Sequence, residues 1–185
     1  EQSPKDEALR LGLADAYKQA GKIEEAIEQL KEASNLAQKD PRPHREVAKI
    51  ELERKNYTAA AKSYTRALNI NPASVDDLVA LGFCYASNND YMQAETAFTT
   101  GLALQQLGQS AGITSSVNPN DIMRSLALVL YTEGRYREAV VTLEAVVLAE
   151  KDGVQKLLDQ FMCSEAKALR DRNAEGLKEL LSSFN

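Results

Sequence analysis

His44, Cys84 and Cys163 are the side chains that could most readily serve as a base, a nucleophile or a metal ligand. They are the only histidine and the only two cysteines among the 185 residues. A zinc site needs about four closely spaced ligands, and a Ser–His–acid triad needs a histidine in a defined arrangement. The sequence supports neither, and it has no glycine-rich phosphate loop. We interpret His44 as a packing or half-exposed residue and both cysteines as buried thiols. The sequence therefore predicts no enzyme, no metal site and no cofactor.

Composition restricts the classes of partner. Lys and Arg number 22 against 27 Asp and Glu, a formal net charge of -5, which argues against nucleic acid and anionic membranes as general partners. The most apolar stretch, residues 139–149, is interrupted by Thr142 and Glu144, so we expect no direct membrane insertion. The chain starts at Glu1 without a cationic and apolar leader, so an excised part of a longer protein stays open. The compartment stays open as well, whether cytoplasmic, periplasmic or in a membrane-associated complex.

The elements that must position these residues are repeated. Residues 53–72 contain a skeleton of large and small side chains, Tyr57, Ala60, Tyr64 and Ala67. Similar skeletons with comparable spacing surround Ala26, Ala94 and Ala139. Ala26, Ala60 and Ala94 recur every 34 residues. Ala139 follows Ala94 by 45 residues, so 11 extra residues are inserted between them. We place them in residues 108–120, which have the composition of a loop.

Apolar residues at helical spacing predict helices separated by short turns. Pro4 suits a first helical position and Gly21 suits a helix end, because proline needs no N–H there and glycine tolerates a left-handed conformation. The following helices are predicted at about 23–38, 43–54, 58–70, 74–87 and 91–106. Turns of a few residues require neighbouring helices to be antiparallel.

This pattern resembles the tetratricopeptide repeat family, whose period is about 34 residues. With repeats starting at Glu7, Pro41, Val75 and Asn120, the small residue at position 8, the alanine at position 20 and the large residue at position 24 are matched. The matching residues are Ala14, Ala48, Gly82 and Ala127; Ala26, Ala60, Ala94 and Ala139; and Leu30, Tyr64, Phe98 and Leu143. Position 4 departs at Arg10 and His44, position 11 departs at Glu51, and only Pro72 keeps the proline at position 32.

The resemblance implies an all-α superhelix, or solenoid, of antiparallel helix pairs forming a single domain over residues 1–185. We expect four repeats and a degenerate or capping helix pair, with a loop insertion at 108–120. The predicted repeats are residues 7–40, 41–74, 75–108 and 120–153, and the final pair is residues 154–185. In that pair Lys167 occupies position 11, a poor fit for a core site.

The resemblance also implies that the first helix of each repeat lines a concave groove. Its inward positions hold three cations, Arg42, Arg45 and Lys49, which suit a ligand carboxylate. The further candidates for a peptide-binding groove are Val79, Phe83, Arg124 and Leu128. Two plainer interpretations stay open: the cations form a solvated face, and Phe83 is covered by a neighbouring segment.

We therefore predict a scaffold that binds a peptide or protein segment in the groove, as an adaptor or assembly factor. The alternative is a structural or self-associating module of a larger protein, which would make the chain a homo-oligomer. The carboxylate clamp that some family members use for chaperone tails is disfavoured, because its lysine and asparagine positions hold Leu11 and Asp15 in the first frame.

Overall fold

A computed structural model describes residues 4–111, 115–149, 160 and 162–172, and the regular structure of these residues is entirely α-helical. Eight helices follow one another: α1 (Pro4–Gln19), α2 (Ile23–Leu36), α3 (Arg42–Glu53), α4 (Tyr57–Ile70), α5 (Val75–Ser87), α6 (Tyr91–Ala111), α7 (Pro119–Thr132) and α8 (Tyr136–Ala149). A further helical segment, α9, covers residues 162–172. None of the helices in these ranges has both the length and the apolarity that crossing a membrane requires.

The short turns between consecutive helices are encoded by residues that tolerate a left-handed backbone or cap a helix. Gly21 and Gly134 adopt φ values of 73° and 78° in the α1–α2 and α7–α8 turns, a conformation that costs glycine little. Asn56 begins α4 by accepting a hydrogen bond from the Ala59 amide, and Ser74 begins α5 by accepting one from the Asp77 amide. Both side chains satisfy backbone donors that the helix leaves free.

Consecutive helices pack against each other along the whole described chain, from α1 on α2 to α7 on α8. The prediction of an all-α superhelix of helical hairpins is confirmed. Each hairpin buries its apolar face partly against its own partner helix and partly against the next hairpin, because one pair cannot bury it alone.

The repeated small and large residues form the contact between the two helices of each pair. The alanines at position 20, from Ala26 to Ala139, are all fully buried, and the large residues at position 24 are at most 4% exposed. Gly82 is the smallest residue at position 8, and it faces the ring of Phe98: an added Cβ would lie 2.7 Å from Phe98 Cε1. Small side chains therefore let the helices approach, as the repeat pattern predicts.

The insertion differs from its predicted form. The sequence placed a loop from Gly108, but α6 continues to Ala111 and has 21 residues, against 14 in α4. No proline intervenes before residue 111, and Gly108, a residue type that often ends a helix, is buried within this one. The chain then returns along the stack, where Gln105 Nε2 donates a hydrogen bond of 2.6 Å to the Val117 carbonyl. The insertion is thus part helix extension and part loop.

At the carboxyl end, α9 packs on α7 and α8. Cys163 and Ala166, which are 6% and 0% exposed, join Ala127, Val140 and Leu143 in one apolar cluster. Lys167 lies outside that cluster and pairs with Glu144 of α8 at 2.6 Å. A polar residue is thereby accommodated at a position that is aromatic or apolar in three of the four other repeats. The rest of the predicted capping pair, residues 154–159, 161 and 173–185, lies outside the described residues.

Candidate functional site

The odd-numbered helices α1, α3, α5 and α7 form one surface, here called the odd-helix face, with two clefts between its helices. The cleft between α1 and α3 has a volume of about 420 Å³, and Leu11, Asp15 and Arg42 are among the residues that line it. The cleft between α3 and α5 has a volume of about 630 Å³, and Arg45 and Lys49 lie on one of its walls. Such concave spaces between secondary-structure elements are where small ligand groups are most readily accommodated.

Each odd helix contributes one exposed side chain to a set of four, Asp15, Lys49, Phe83 and Leu128. Because equivalent helices stack side by side in such an array, we expect these four side chains to follow one another in a row. They occupy equivalent positions of the four repeats. Phe83 and Leu128 are 50% and 52% exposed, and the Lys49 side chain is 48% exposed. The row is charged on the first two repeats and apolar on the last two, so a chain lying along it would meet two different chemistries.

Arg45 is held by an internal partner. Its Nε and Nη2 atoms each donate a 2.6 Å hydrogen bond to the Asp77 carboxylate. The Asp77 side chain is 2% exposed and that of Arg45 is 27% exposed, and the hydrogen bonds that Arg45 donates to the Asp77 carboxylate raise the pKa of Arg45. A buried carboxylate without this fork would be strongly unfavourable. Arg45 therefore joins α3 to α5, and its guanidinium is already engaged.

Arg42 also has acidic partners within the chain. Its Nε donates to Asp40 Oδ2 at 2.7 Å, and its Nη2 donates to Glu7 Oε1 at 2.9 Å. Burial alone would raise the pKa of Asp40, but the hydrogen bonds from Arg42 outweigh it and leave the pKa at about 2. By binding both Asp40 and Glu7, Arg42 joins the α2–α3 turn to the first turn of α1. Even so, 62% of the Arg42 side chain stays exposed.

Of Arg42, Arg45 and Lys49, Lys49 has the weakest interactions with acidic residues of the chain. It pairs with Glu46 one turn earlier on the same helix at 2.7 Å, and both side chains are more than one third exposed. An exposed pair of this kind is worth little, because water screens it and both side chains lose freedom. The Lys49 ammonium can therefore exchange Glu46 for another carboxylate at small cost.

The apolar candidates differ in accessibility. Phe83 packs edge-on against Tyr57 with ring centroids 6.1 Å apart, which fixes its ring while half of its surface stays exposed. Val79 is partly buried against the core of the third repeat. Arg124 donates a 2.6 Å hydrogen bond to Asp121, and its side chain is 19% exposed. Phe83 and Leu128 are thus the apolar groups that a ligand can reach.

The potentially reactive side chains lie apart from this row. Cys84 and Cys163 are free and buried, and burial raises the pKa of the Cys84 thiol to about 11. His44 is partly buried, and this burial, with the nearby Arg66 charge, lowers its pKa. Within the described ranges, no three His, Cys, Asp or Glu side chains are grouped as a metal site would require.

Sequence reasoning missed the contacts of two acidic residues that shape the α3–α5 cleft. Asp77 is the buried partner of Arg45, and Asp76 accepts a 2.7 Å hydrogen bond from Ser116 Oγ, which holds the chain before α7 on the first turn of α5. Asp77 carried a signal: it stands at the third position of its repeat, where the other repeats have Leu9, Pro43 and Ile122. A charged residue at an apolar core position indicates a buried partner. No comparable feature of the sequence predicts the contact between Asp76 and Ser116.

Comparisons with known proteins agree with the geometry. Two family models, both described as tetratricopeptide repeat, match residues 1–50 and residues 63–96. A search of curated protein sequences found no match.

Several solved structures have a similar shape at low sequence identity. MamA is 16% identical with a TM-score of 0.74, and the match covers 97% of this chain and 92% of that chain. Pseudomonas aeruginosa PilF is 19% identical with a TM-score of 0.66, covering 96% of this chain and 78% of that one. A putative kinesin light chain of Podospora anserina, with nearly identical TPR-like repeats, is 20% identical with a TM-score of 0.66, covering 98% and 94%. At these identities the likeness shows the fold alone.

Proposed function

Because the chain is a tetratricopeptide repeat protein, we propose that it binds a peptide segment of a partner protein along its odd-helix face. The fold is generally a scaffold for protein–protein interaction, and stacked repeats of this kind present extended concave surfaces. The observation that supports a site on this chain is the exposed row of Asp15, Lys49, Phe83 and Leu128. By binding such a segment, the protein would act as an adaptor or assembly factor.

The row suggests the chemistry of the ligand. A ligand acid would pair with Lys49, which gives up only an exposed partner on its own helix. An apolar ligand side chain would cover Phe83, whose ring Tyr57 already holds in place. A preoriented aromatic ring loses little freedom on binding, so more of the contact energy appears as affinity. Arg45 contributes indirectly, by fixing α3 relative to α5 through Asp77.

Selection from a random peptide library displayed on phage tests this proposal without a known partner. We expect enriched peptides to combine an acidic with an apolar residue and, once synthesised, to bind with a Kd near 1 μM, about -8 kcal/mol, in calorimetry. Phe83→Ala should weaken binding roughly tenfold, because covering the exposed half of a phenylalanine contributes about 1–1.5 kcal/mol. Lys49→Glu should also weaken binding, and the loss of affinity should be larger at low salt than at high salt, because salt screens the charge interaction.

Met92→Ala is the matched control, since Met92 is 78% exposed on α6, outside the odd-helix face. It should leave affinity unchanged. Arg45 is unsuitable as a test position, because its replacement would remove the partner of buried Asp77. Peptides that bind the Phe83→Ala and wild-type chains equally, or no enrichment at all, would rule out this site.

A further inference from the structure

The cleft between α3 and α5 is lined by a tyrosine whose hydroxyl is unused. Tyr64 belongs to the core of the second repeat and is 4% exposed, yet it also borders this cleft of about 630 Å³. Among the residues that the structure describes, none forms a hydrogen bond with its hydroxyl, although that atom is not enclosed on all sides. Buried polar groups in native proteins nearly always have a partner. A partner for this hydroxyl must therefore enter through the cleft.

Packing does not require a hydroxyl at this place. Tyr64 stands at position 24 of its repeat, and the equivalent residues of the other repeats are Leu30, Phe98 and Leu143. All three are at most 3% exposed, so side chains without a polar atom fill this place in the stack. Burial raises the pKa of Tyr64 to about 12, so the hydroxyl keeps its proton. It therefore offers a hydrogen bond to an acceptor in the cleft.

A cation lies close to this donor. Lys49 borders the same cleft, and its ammonium pairs with Glu46 at 2.7 Å. Burial and, to a smaller extent, the negative charge of Glu46 raise the pKa of Tyr64, so the Glu46 carboxylate lies near the hydroxyl as well as the ammonium. In the described part of the chain, Glu46 binds Lys49 but forms no hydrogen bond with Tyr64. A negative group is thus already held near both donors, and it uses one of them.

The carboxylates of Asp76 and Asp77, which also line the cleft, have donors of their own. Both oxygens of Asp77 accept from Arg45 at 2.6 Å. Asp76 accepts from the Ser116 hydroxyl at 2.7 Å, and it lies in the first turn of α5, where the helix dipole stabilises negative charge. These two acids are therefore satisfied without the Tyr64 hydroxyl or the Lys49 ammonium.

We propose that the α3–α5 cleft is a carboxylate subsite, in which one oxygen of the ligand acid accepts from the Tyr64 hydroxyl and the other from the Lys49 ammonium. The incoming carboxylate takes the place of Glu46, whose exposed pair with Lys49 is weak. A carboxylate suits the two donors because it accepts at both oxygens, and hydrogen bonds to a charged acceptor are the stronger ones. This inference rests on the proposed function, since it assigns a second donor to the acid of the bound segment.

Small carboxylates test the subsite without any partner peptide. N-acetylglutamate N-methylamide has a side-chain carboxylate and N-acetylglycine a terminal one, and each is titrated into the isotope-labelled chain and followed by NMR. At least one of them should shift the Tyr64 and Lys49 resonances to saturation with a Kd of about 1 mM, as befits so small a ligand. The tighter of the two identifies the source of the carboxylate. N-acetylglutamine N-methylamide, which is of similar size but uncharged, should cause no saturable shift.

Variants assign the two donors. Tyr64→Phe keeps a ring like that of Phe98 at the equivalent position and should weaken binding about tenfold, because a hydrogen bond to a charged acceptor is lost. Lys49→Met should weaken binding about two- to fivefold, since an exposed ion pair contributes little. Glu46→Gln should strengthen binding by a similar factor, because the carboxylate that competes for Lys49 is removed. Glu28→Gln, the same change at an exposed residue of α2, should leave the Kd unchanged.

The absence of a saturable shift with both carboxylates would overturn the subsite, and so would equal binding of the glutamine compound. Unchanged affinities of Lys49→Met and Glu46→Gln would overturn it as well, and these two changes leave the core intact even if Tyr64→Phe is less stable. Peptide selection decides the proposed function separately. Peptides whose binding depends on Phe83 would support that function even if both small carboxylates fail, and the carboxylates would support the subsite even if no peptide is enriched.

Discussion

Replacing Gly82 by alanine should destabilise the third repeat. The new Cβ would lie 2.7 Å from Cε1 and 2.9 Å from Cδ1 of Phe98, well inside the carbon–carbon contact distance of about 3.5–4.0 Å. The Phe98 ring cannot turn away easily, because it is 2% exposed and packed among Val75, Leu126 and other core residues. Overpacking of this kind costs about 1–3 kcal/mol, and the preference of a helix interior for alanine over glycine offsets about 0.5–1 kcal/mol of that cost. The net loss of about 0.5–2 kcal/mol lowers Tm by roughly 2–4 °C per kcal/mol for a chain of this size.

Gly101 gives a matched control of opposite sign. An added Cβ at Gly101 would meet Val79 at 3.6 Å and Leu78 at 3.8 Å, which are ordinary contacts. Since Gly101 lies inside α6, Gly101→Ala should stabilise the chain by about 0.5–1 kcal/mol, because alanine restricts the unfolded chain and favours the helix.

Phe98→Leu should rescue the Gly82→Ala variant. Leucine faces an alanine in the first and fourth repeats, where the pairs are Ala14 with Leu30 and Ala127 with Leu143. Urea denaturation of both single variants and the double variant forms a mutant cycle, and we expect a favourable coupling of about 1 kcal/mol or more. Additive effects, or a Gly82→Ala variant as stable as the wild type, would refute the close-contact reasoning. The second outcome would mean that α5 and α6 shift apart freely.

Two further predictions concern buried polar groups. Arg45→Ala should cost about 2–3 kcal/mol in urea denaturation, since it leaves the carboxylate of Asp77 buried without its fork, and adding Asp77→Ala should recover part of that loss; a neutral Arg45→Ala would contradict the assignment. Cys84 should resist a thiol reagent at pH 8 until the chain unfolds, because it is fully buried and its pKa is raised from 9.0 to about 11. The folded state favours the neutral thiol, so its contribution to stability is full below pH 9.0 and is lost as the pH rises toward 11. The Tm should fall more steeply over this pH range for the wild type than for Cys84→Ala. Equal slopes of Tm against pH would contradict a raised pKa for Cys84.

The sequence predicted the helices and their core well because both depend on local periodicity. The small residues around Ala26, Ala60 and Ala94 identified the crossing points within each pair, and all three are fully buried. Turn residues with a distinct backbone preference, such as Gly21, marked the helix ends. The length of α6 was missed because Gly108 belongs to the loop-like composition of residues 108–120, whereas it lies buried inside a helix that continues to Ala111.

The candidate site was less accessible to sequence reasoning. The groove positions identified exposed Phe83 and Leu128, but they could not show that Arg45 faces a buried Asp77. That ion pair joins residues 32 positions apart, and its formation depends on how α3 and α5 stack. Long-range polar contacts have no periodic signature, whereas apolar burial does.

The order of contacts along the stack also affects how the chain folds. Since the main packing partners are consecutive helices, most native contacts join residues close in sequence, and low contact order favours rapid folding. Helices at an end of the array can detach while the middle stays formed, because stability is roughly a sum of unit and nearest-neighbour terms. Helix α1 packs chiefly on α2, so we expect it to separate before helices that have a neighbour on each side.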